Sequence, residues 1–200
     1  MTGREPRRDE TKRRILEVAR DLFSQNGFDA TTVRQIAAHA GLTDAALYYH
    51  FKNKREILEA IWEAPVGANP TELRPSGRFA PTDLERIVDT VLNFASANRD
   101  YLRLLHRETL TGDETARAIR QNNRAYLRRI FHQNLSTIYD ADEADLRTEA
   151  LVSLIVGSTL RQEIAIGDQR AAESLHDPDF REEVQRGAAR LAGLDGVAAR

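Results

Sequence analysis

The segment GLTDAALYYHFKNK, residues 41–54, places a glycine and a threonine ahead of a short run rich in large side chains. If a helix starts after Thr43, with successive residues about 100° apart, Leu47 and Phe51 fall on one side and face inward. The opposite arc carries small and hydrogen-bonding residues: Ala45, Ala46, Tyr48 and Tyr49, with Asp44 and His50 at its margins. This arc suits close approach to a partner, because alanine lets the helix axis come near while phenolic hydroxyls reach acceptors.

A second predicted helix precedes this one, and a turn of about three residues at positions 40–42 joins them. Two helices joined in this way form a helix-turn-helix, whose second helix enters the major groove of DNA. Hydroxyl, imidazole and ammonium donors for phosphate lie nearby, on Thr32, Tyr48, His50 and Lys54. The alternative is a protein core in which Tyr48 and Tyr49 are packed aromatics, but so small a unit cannot bury both faces of the helix.

Helical periodicity continues along the chain and no alternating run indicates a strand, so we predict an all-α fold. The clearest amphipathic helix has apolar residues at helical spacing: Leu84, Ile87, Val88, Val91, Leu92 and Ala95. Other predicted helices cover residues 10–25, 101–110, 113–140, 143–166 and 178 to about 194.

Four of the six prolines and two glycines lie between residues 64 and 81, where a helix cannot continue. We therefore predict four parts: a flexible basic tail at 1–9, a helix-turn-helix domain at 10–63, a connection at 64–81 and a second domain at 82–200. The net charge is only −2, but six Lys or Arg face three acidic residues within positions 1–14. By itself, a basic tail is typical of a solvated end of a chain, and it supports DNA binding only together with the helix-turn-helix.

The composition excludes several classes of site. With no cysteine, the chain has no disulfide, thiolate zinc site or cysteine nucleophile. No apolar run approaches the roughly 20 residues that cross a bilayer, and positions 1–14 lack a signal-peptide pattern, which predicts a cytoplasmic protein. The five histidines lack metal-ligand spacing, and no GxSxG or phosphate-binding glycine loop occurs. We therefore expect no cofactor, no metal and no enzymatic activity.

Residues 15–63 resemble the N-terminal domain of the TetR (tetracycline-repressor) family of transcriptional regulators. The resemblance rests on the segments GFDATTVRQIAAHAGLT, residues 27–43, and LYYHFKNKREIL, residues 47–58. It covers about a quarter of the chain, and the rest agrees with the family only in length and helical character. The resemblance implies a homodimer that binds a palindromic DNA operator through its N-terminal domains, and a C-terminal domain that binds a small molecule and releases the DNA.

The same resemblance assigns roles to individual positions. Family members commonly contact DNA at the positions of Thr32, Arg34, Thr43, Tyr48, Tyr49, His50 and Lys54, and read bases at those of Asp44, Ala45 and Ala46. The alanines offer methyl contacts to thymine. Asp44 either accepts a hydrogen bond from cytosine or is an acid favoured by the helix dipole.

The second domain carries the candidates for effector binding and dimerisation. A mainly apolar pocket could be formed by Trp62, Phe94, His106, Asn123 and Tyr126, of which Asn123 interrupts an apolar stripe. Each of these could instead be exposed or bonded to nearby backbone. Dimerisation through a four-helix bundle would use Leu154, Gly157, Ser158, Phe180, Val184 and Leu191, unless residues 146–164 form an intrachain core helix.

These observations together predict a ligand-responsive transcriptional regulator, specifically a repressor that a small molecule releases from its operator. Two alternatives remain open. One is a DNA-binding activator or architectural protein that senses no ligand, and the other is a small all-α enzyme that retains a helix-turn-helix as scaffold. A cavity in the second domain would favour the sensor, and a cluster of acid, base or metal ligands would favour the enzyme.

Overall fold

The computed structural model of the protein describes residues 5–63, 79–164 and 173–195. This part of the chain contains nine α-helices, one short 3-10 helix and no strand, which confirms the predicted all-α fold. The helices are α1 (Glu5–Asn26), α2 (Val33–His39), α3 (Asp44–His50), α4 (Lys54–Glu63), α5 (Pro81–Ala97), α6 (Arg99–Thr111), α7 (Glu114–Leu135), α8 (Ala141–Ile164) and α9 (Pro178–Ala192), and the 3-10 helix is Ser174–His176. None of these described helices is long and apolar enough to cross a membrane.

Contacts between residues divide the chain into two compact units. The N-terminal unit comprises residues 1–65 and 100–116, and the second unit comprises residues 66–99 and 117–200. The first division falls within the predicted connection at 64–81, of which residues 64–78 lie outside the described part. The predicted single domain over 82–200 differs from this grouping, because α6 packs with the N-terminal helices.

The N-terminal unit has a small core to which α1–α4 each contribute one face. The buried apolar side chains that these elements contribute include Ile15, Ala19 and Phe23 of α1, Ile36 and Ala37 of α2, Leu47 of α3, Phe51, and Ile57, Leu58 and Ile61 of α4. Helix α1 begins at Glu5, five residues before the predicted start, so residues 5–9 are helical where we expected a flexible tail. Pro6 fits there because proline is tolerated in the first turn of a helix.

Helix α6 is attached to the N-terminal unit at both of its ends. Near its start, the rings of Tyr101 and Trp62 meet edge to face, with centroids 5.6 Å apart. Near its end, Arg107 Nη1 donates to the carbonyl of Gln25 at 3.2 Å. Just beyond the helix, Arg55 Nη1 of α4 lies 2.5 Å from an Asp113 carboxylate oxygen. These contacts explain why residues 100–116 group with the N-terminal helices.

The second unit is built around α5, α8 and α9, which pack against one another. All six apolar residues of the predicted α5 stripe are buried, which confirms its orientation. Helix α7 ends at Leu135, five residues earlier than predicted, and α8 runs from Ala141. Helix α9 ends at Ala192 and is capped by Gly193, whose φ of 67° lies in the left-handed region that glycine adopts without strain.

Candidate nucleic-acid interface

Helix α2 begins with a capping box at Thr32. The Thr32 hydroxyl oxygen accepts from the backbone N–H of Gln35 at 3.2 Å, and Gln35 Oε1 accepts from the Thr32 backbone N–H at 2.8 Å. This reciprocal pair fixes the start of the helix. Ile36 and Ala37 face the core while Thr32 and Arg34 are exposed. The structure therefore places these two predicted DNA contacts on the outer surface.

A tight turn leads from α2 to α3. Gly41 adopts a φ of 65°, and the N–H of Leu42 donates to the carbonyl of Ala37 at 2.8 Å. The left-handed glycine closes α2 and lets the chain reverse direction. Thr43 then caps α3, since its hydroxyl oxygen accepts from the N–H of Ala46 at 3.2 Å. The two helices and this turn form the predicted helix-turn-helix.

Helix α3 has a buried side and an exposed side, as its sequence predicts. Leu47 is completely buried and Phe51 is 2% exposed. On the other side, Tyr48 is 51% and Tyr49 70% exposed. The small and acidic residues of the first turn lie outward as well: Asp44 and Ala45 are exposed and Ala46 is half-buried. The exposed tyrosines and the small residues thus form one surface.

His50 lies at the C-terminal end of this surface, half-buried beside Tyr49. The two rings meet edge to face at 5.3 Å between centroids. Partial burial, followed by the positive charges of Arg8 and Lys12 on α1, lowers the pKa of His50. A lowered pKa leaves the imidazole neutral at pH 7, so that it can donate one hydrogen bond and accept another.

Arg8 and Lys12 are residues of this surface that sequence reasoning missed. They were assigned to a solvated tail and to the start of helix one, yet both lie close to rings at the end of α3. A sequence signal exists. Positions 8 and 12 precede the buried Ile15 and Ala19 by seven residues each, so they continue the buried stripe of α1.

Lys54 does not have the geometry that we predicted for a phosphate contact. Its Nζ donates to the backbone carbonyls of Phe28 at 2.6 Å, Thr31 at 2.9 Å and Asp29 at 3.2 Å. It also lies 4.3 Å from the centroid of the Phe28 ring. Because an ammonium has three hydrogens to donate, its capacity is used within the protein. Lys54 therefore ties α4 to the turn between α1 and α2.

The structure distributes the predicted effector-binding residues over both units. Trp62 and His106 belong to the N-terminal unit, and Phe94, Asn123 and Tyr126 to the second. Trp62 is buried, and its Nε1 has no hydrogen-bond partner among the described residues. Phe94, His106 and Tyr126 are half-buried. Asn123 is exposed, as are all of residues 121–125 in the middle of α7, which is the alternative left open for this residue.

The predicted dimerisation residues divide into buried and accessible ones. Val184 and Ser158 are buried inside the second unit, where the Ser158 hydroxyl donates to the carbonyl of Leu154 at 2.7 Å. Phe180 and Leu154 are half-buried, and Gly157 and Leu191 are exposed. Arg161 lies 5.6 Å from the Phe180 ring centroid. Val184 and Ser158 thus serve the intrachain core, which leaves Gly157 and Leu191 accessible to a partner.

Comparisons with known proteins agree with this geometry. The sequence profile described as "Bacterial regulatory proteins, tetR family" matches residues 15–61. The HTH-type transcriptional regulator AcrR of Shigella flexneri is 48% identical over 54 residues, which cover 27% of this chain and 25% of AcrR. The HTH-type transcriptional repressor SCO4008 of Streptomyces coelicolor is 28% identical over 154 residues, or 76% of this chain and 73% of SCO4008.

Similarity of fold extends over nearly the whole chain. A solved TetR-like transcriptional regulator from Rhodococcus sp. RHA1 superposes with a TM-score of 0.68 at 22% identity, covering 93% of this chain and 96% of that one. The similarity to AcrR, in contrast, spans only a quarter of the length of that relative. Residues 15–61 therefore form a DNA-binding domain of the tetR family of bacterial regulatory proteins, and the chain as a whole shares the fold of a TetR-like regulator.

Proposed function

We propose that this protein is a ligand-responsive transcriptional repressor that binds a palindromic operator as a homodimer. The observation that carries the proposal is the exposed surface of α3, where Tyr48 and Tyr49 extend beside the small residues Ala45 and Ala46. Small side chains let a helix lie deep in a major groove, and phenolic hydroxyls reach phosphate oxygens. The name of SCO4008, a transcriptional repressor, supports repression as the direction of control.

Within this proposal the residues of the DNA-binding surface have two kinds of role. Those that position the protein on phosphates are Thr32, Arg34, Thr43, Tyr48, Tyr49 and His50. Those that face base edges are Asp44, Ala45 and Ala46. The methyl groups of the alanines suit thymine, and the Asp44 carboxylate can accept from the amino group of cytosine. The phosphate contact predicted at Lys54 is not part of this proposal, because the ammonium of Lys54 already donates to backbone carbonyls.

A dimer is needed because one recognition helix reads only one half-site. Two recognition helices about 34 Å apart meet successive major grooves on one side of the duplex. We assign the pairing of subunits to α8 and α9, where Gly157 and Leu191 are exposed. Such a regulator acts in the cytoplasm, where its DNA is.

The response to an effector would pass through α6. This helix belongs to the N-terminal unit, while α5 before it and α7 after it belong to the second unit. The connections are short: Asn98 alone separates α5 from α6, and residues 112–113 separate α6 from α7. A small molecule that shifts α5 or α7 therefore displaces α6 and changes the spacing of the paired recognition helices.

The test is selection of duplex DNA from a random-sequence library by the purified full-length protein. We expect enrichment of an inverted repeat whose half-sites are about 10 base pairs apart, centre to centre. Failure to retain any duplex at low salt would refute the proposal. An effector is then sought as a small molecule that raises the melting temperature of the protein and weakens its binding to the selected DNA. A selected operator that activates transcription in a reporter strain would favour the activator alternative.

A further inference from the structure

The first turns of α1 extend beyond the core of the N-terminal unit. Between residues 8 and 26 of α1, the first residue that is buried in the core is Ile15. Arg8 and Lys12 are four residues apart, so they share one face of the helix. Ile15 and Ala19 lie further along the same face of α1, where it is buried in the core. The stripe therefore changes from apolar to cationic side chains where α1 extends beyond the core.

Both cations lie over aromatic rings at the C-terminal end of α3. Arg8 Cζ is 5.4 Å from the centroid of the Tyr49 ring, and Lys12 Nζ is 5.5 Å from that of Phe51. The negative face of an aromatic ring attracts a cation and holds it in place. Arg8, Lys12 and Tyr49 are all exposed, so their polar groups remain accessible. The rings thus keep the two charges beside the surface that we propose for DNA.

The local field at this end of α3 is positive. Arg8 and Lys12 both act on His50, which lies between their two ring partners in the sequence. A positive field over exposed hydrogen-bond donors matches the phosphate backbone of DNA, whose affinity for proteins depends on such charges. A guanidinium stacked on a tyrosine is also well placed to bind a phosphate with two parallel hydrogen bonds.

We propose that Arg8 and Lys12 bind DNA phosphates beside the major groove that α3 enters, so that the DNA-binding surface includes the first turns of α1. This inference rests on the proposed function and adds contacts outside the helix-turn-helix. Arg8 binds one phosphate through the edge of its guanidinium while the face of the guanidinium stays over the Tyr49 ring. Lys12 adds a second positive charge one helical turn further along α1.

The experiment measures how affinity for DNA depends on salt. The duplex selected by the wild-type protein is labelled with fluorescein, and binding is followed by anisotropy from 50 to 400 mM KCl in the full-length protein. The variants are Arg8→Gln and Lys12→Gln, which remove the charge and keep most of the stem. Arg13→Gln is the matched control, because Arg13 lies on the same helix, is 70% exposed and pairs with Glu17 at 3.0 Å.

Each lost phosphate contact should reduce the slope of log K against log [salt] by about 0.9, and one substitution removes two contacts from a homodimer. The slope should therefore fall by about 1.8, which is about a sixtyfold loss of affinity at 0.1 M salt relative to 1 M. We expect this change in Arg8→Gln and in Lys12→Gln but not in Arg13→Gln. Arg8→Lys and Lys12→Arg should restore the slope, because they keep the charge. Melting temperatures of all variants are measured to show that each one folds.

The outcomes separate this inference from the proposed function. If the wild-type protein binds no duplex, the proposed function itself fails. If it binds and the glutamine variants keep the slope of Arg13→Gln, DNA binding stands and the role of Arg8 and Lys12 is overturned. A loss of affinity that the charge-conserving variants do not restore would assign the two residues to packing on Tyr49 and Phe51, which also overturns the inference.

Discussion

Replacing Lys54 with methionine tests whether this residue stabilises the fold or binds DNA. The substitution keeps the apolar stem and removes the ammonium that donates to Phe28, Asp29 and Thr31. The bonds to Phe28 and Thr31 are partly buried, whereas water can replace the donor at Asp29. Counting about 1 kcal/mol for each of the two partly buried bonds and about 0.5 kcal/mol for the contact with the Phe28 ring, we expect a loss of about 2.5 kcal/mol.

A loss of that size lowers the melting temperature by about 5–10 °C if the chain unfolds as one unit. Calorimetry or circular dichroism measures the shift, and Lys52→Met is the control, because Lys52 is exposed and two residues away. The control should change stability by less than about 0.5 kcal/mol. The salt dependence of DNA binding should stay that of the wild type in Lys54→Met. A variant with unchanged melting and a reduced salt slope would show that Lys54 binds phosphate, and our reasoning about it would be wrong.

Three further substitutions probe the turn, the interface and a buried acid. Gly41→Ala should lower the free energy of unfolding, measured with urea, by about 1 kcal/mol. The loss comes from the positive φ alone, because a Cβ at this position meets nothing within 4 Å. An unchanged free energy of unfolding would contradict this prediction. Tyr48→Phe should weaken operator binding about tenfold in anisotropy titrations, while the melting temperature stays unchanged. If the variant and the wild type bound with equal affinity, the Tyr48 hydroxyl would not contact DNA. Burial, together with the charges of Asp113 and Asp29, raises the pKa of Glu108. Deprotonation of Glu108 therefore costs free energy in the folded state. The free energy of unfolding of Glu108→Gln should rise relative to that of the wild type as the pH increases from about 4.3 to 7. A difference in unfolding free energy that stays constant over this range would refute the prediction.

Local patterns in the sequence predicted the features that depend on local geometry. The buried and exposed sides of α3 and the stripe of α5 follow from helical periodicity, which needs no knowledge of the partner element. The predicted helix over 113–140 ends five residues too late, because helical periodicity continues through residues whose side chains can form hydrogen bonds with nearby backbone. The hydroxyls of Ser136 and Thr137 donate to the carbonyls of His132 and Asn134, each at 2.7 Å, and the chain turns there. Asn, Ser and Thr in that segment were an available signal.

The placements of Lys54 and α6 could not be predicted in this way, because each depends on residues far away in the chain. Arg107 bonds to Gln25 across 82 positions, and Lys54 bonds to Phe28 across 26. Periodicity indicates that one face of a helix is buried, but it does not identify what covers that face. We had assigned α6 to the second domain by its position in the sequence alone. Its grouping with the N-terminal helices is the basis of the proposed response to an effector, because the chain passes from α5 to α6 through Asn98 alone and from α6 to α7 through residues 112–113.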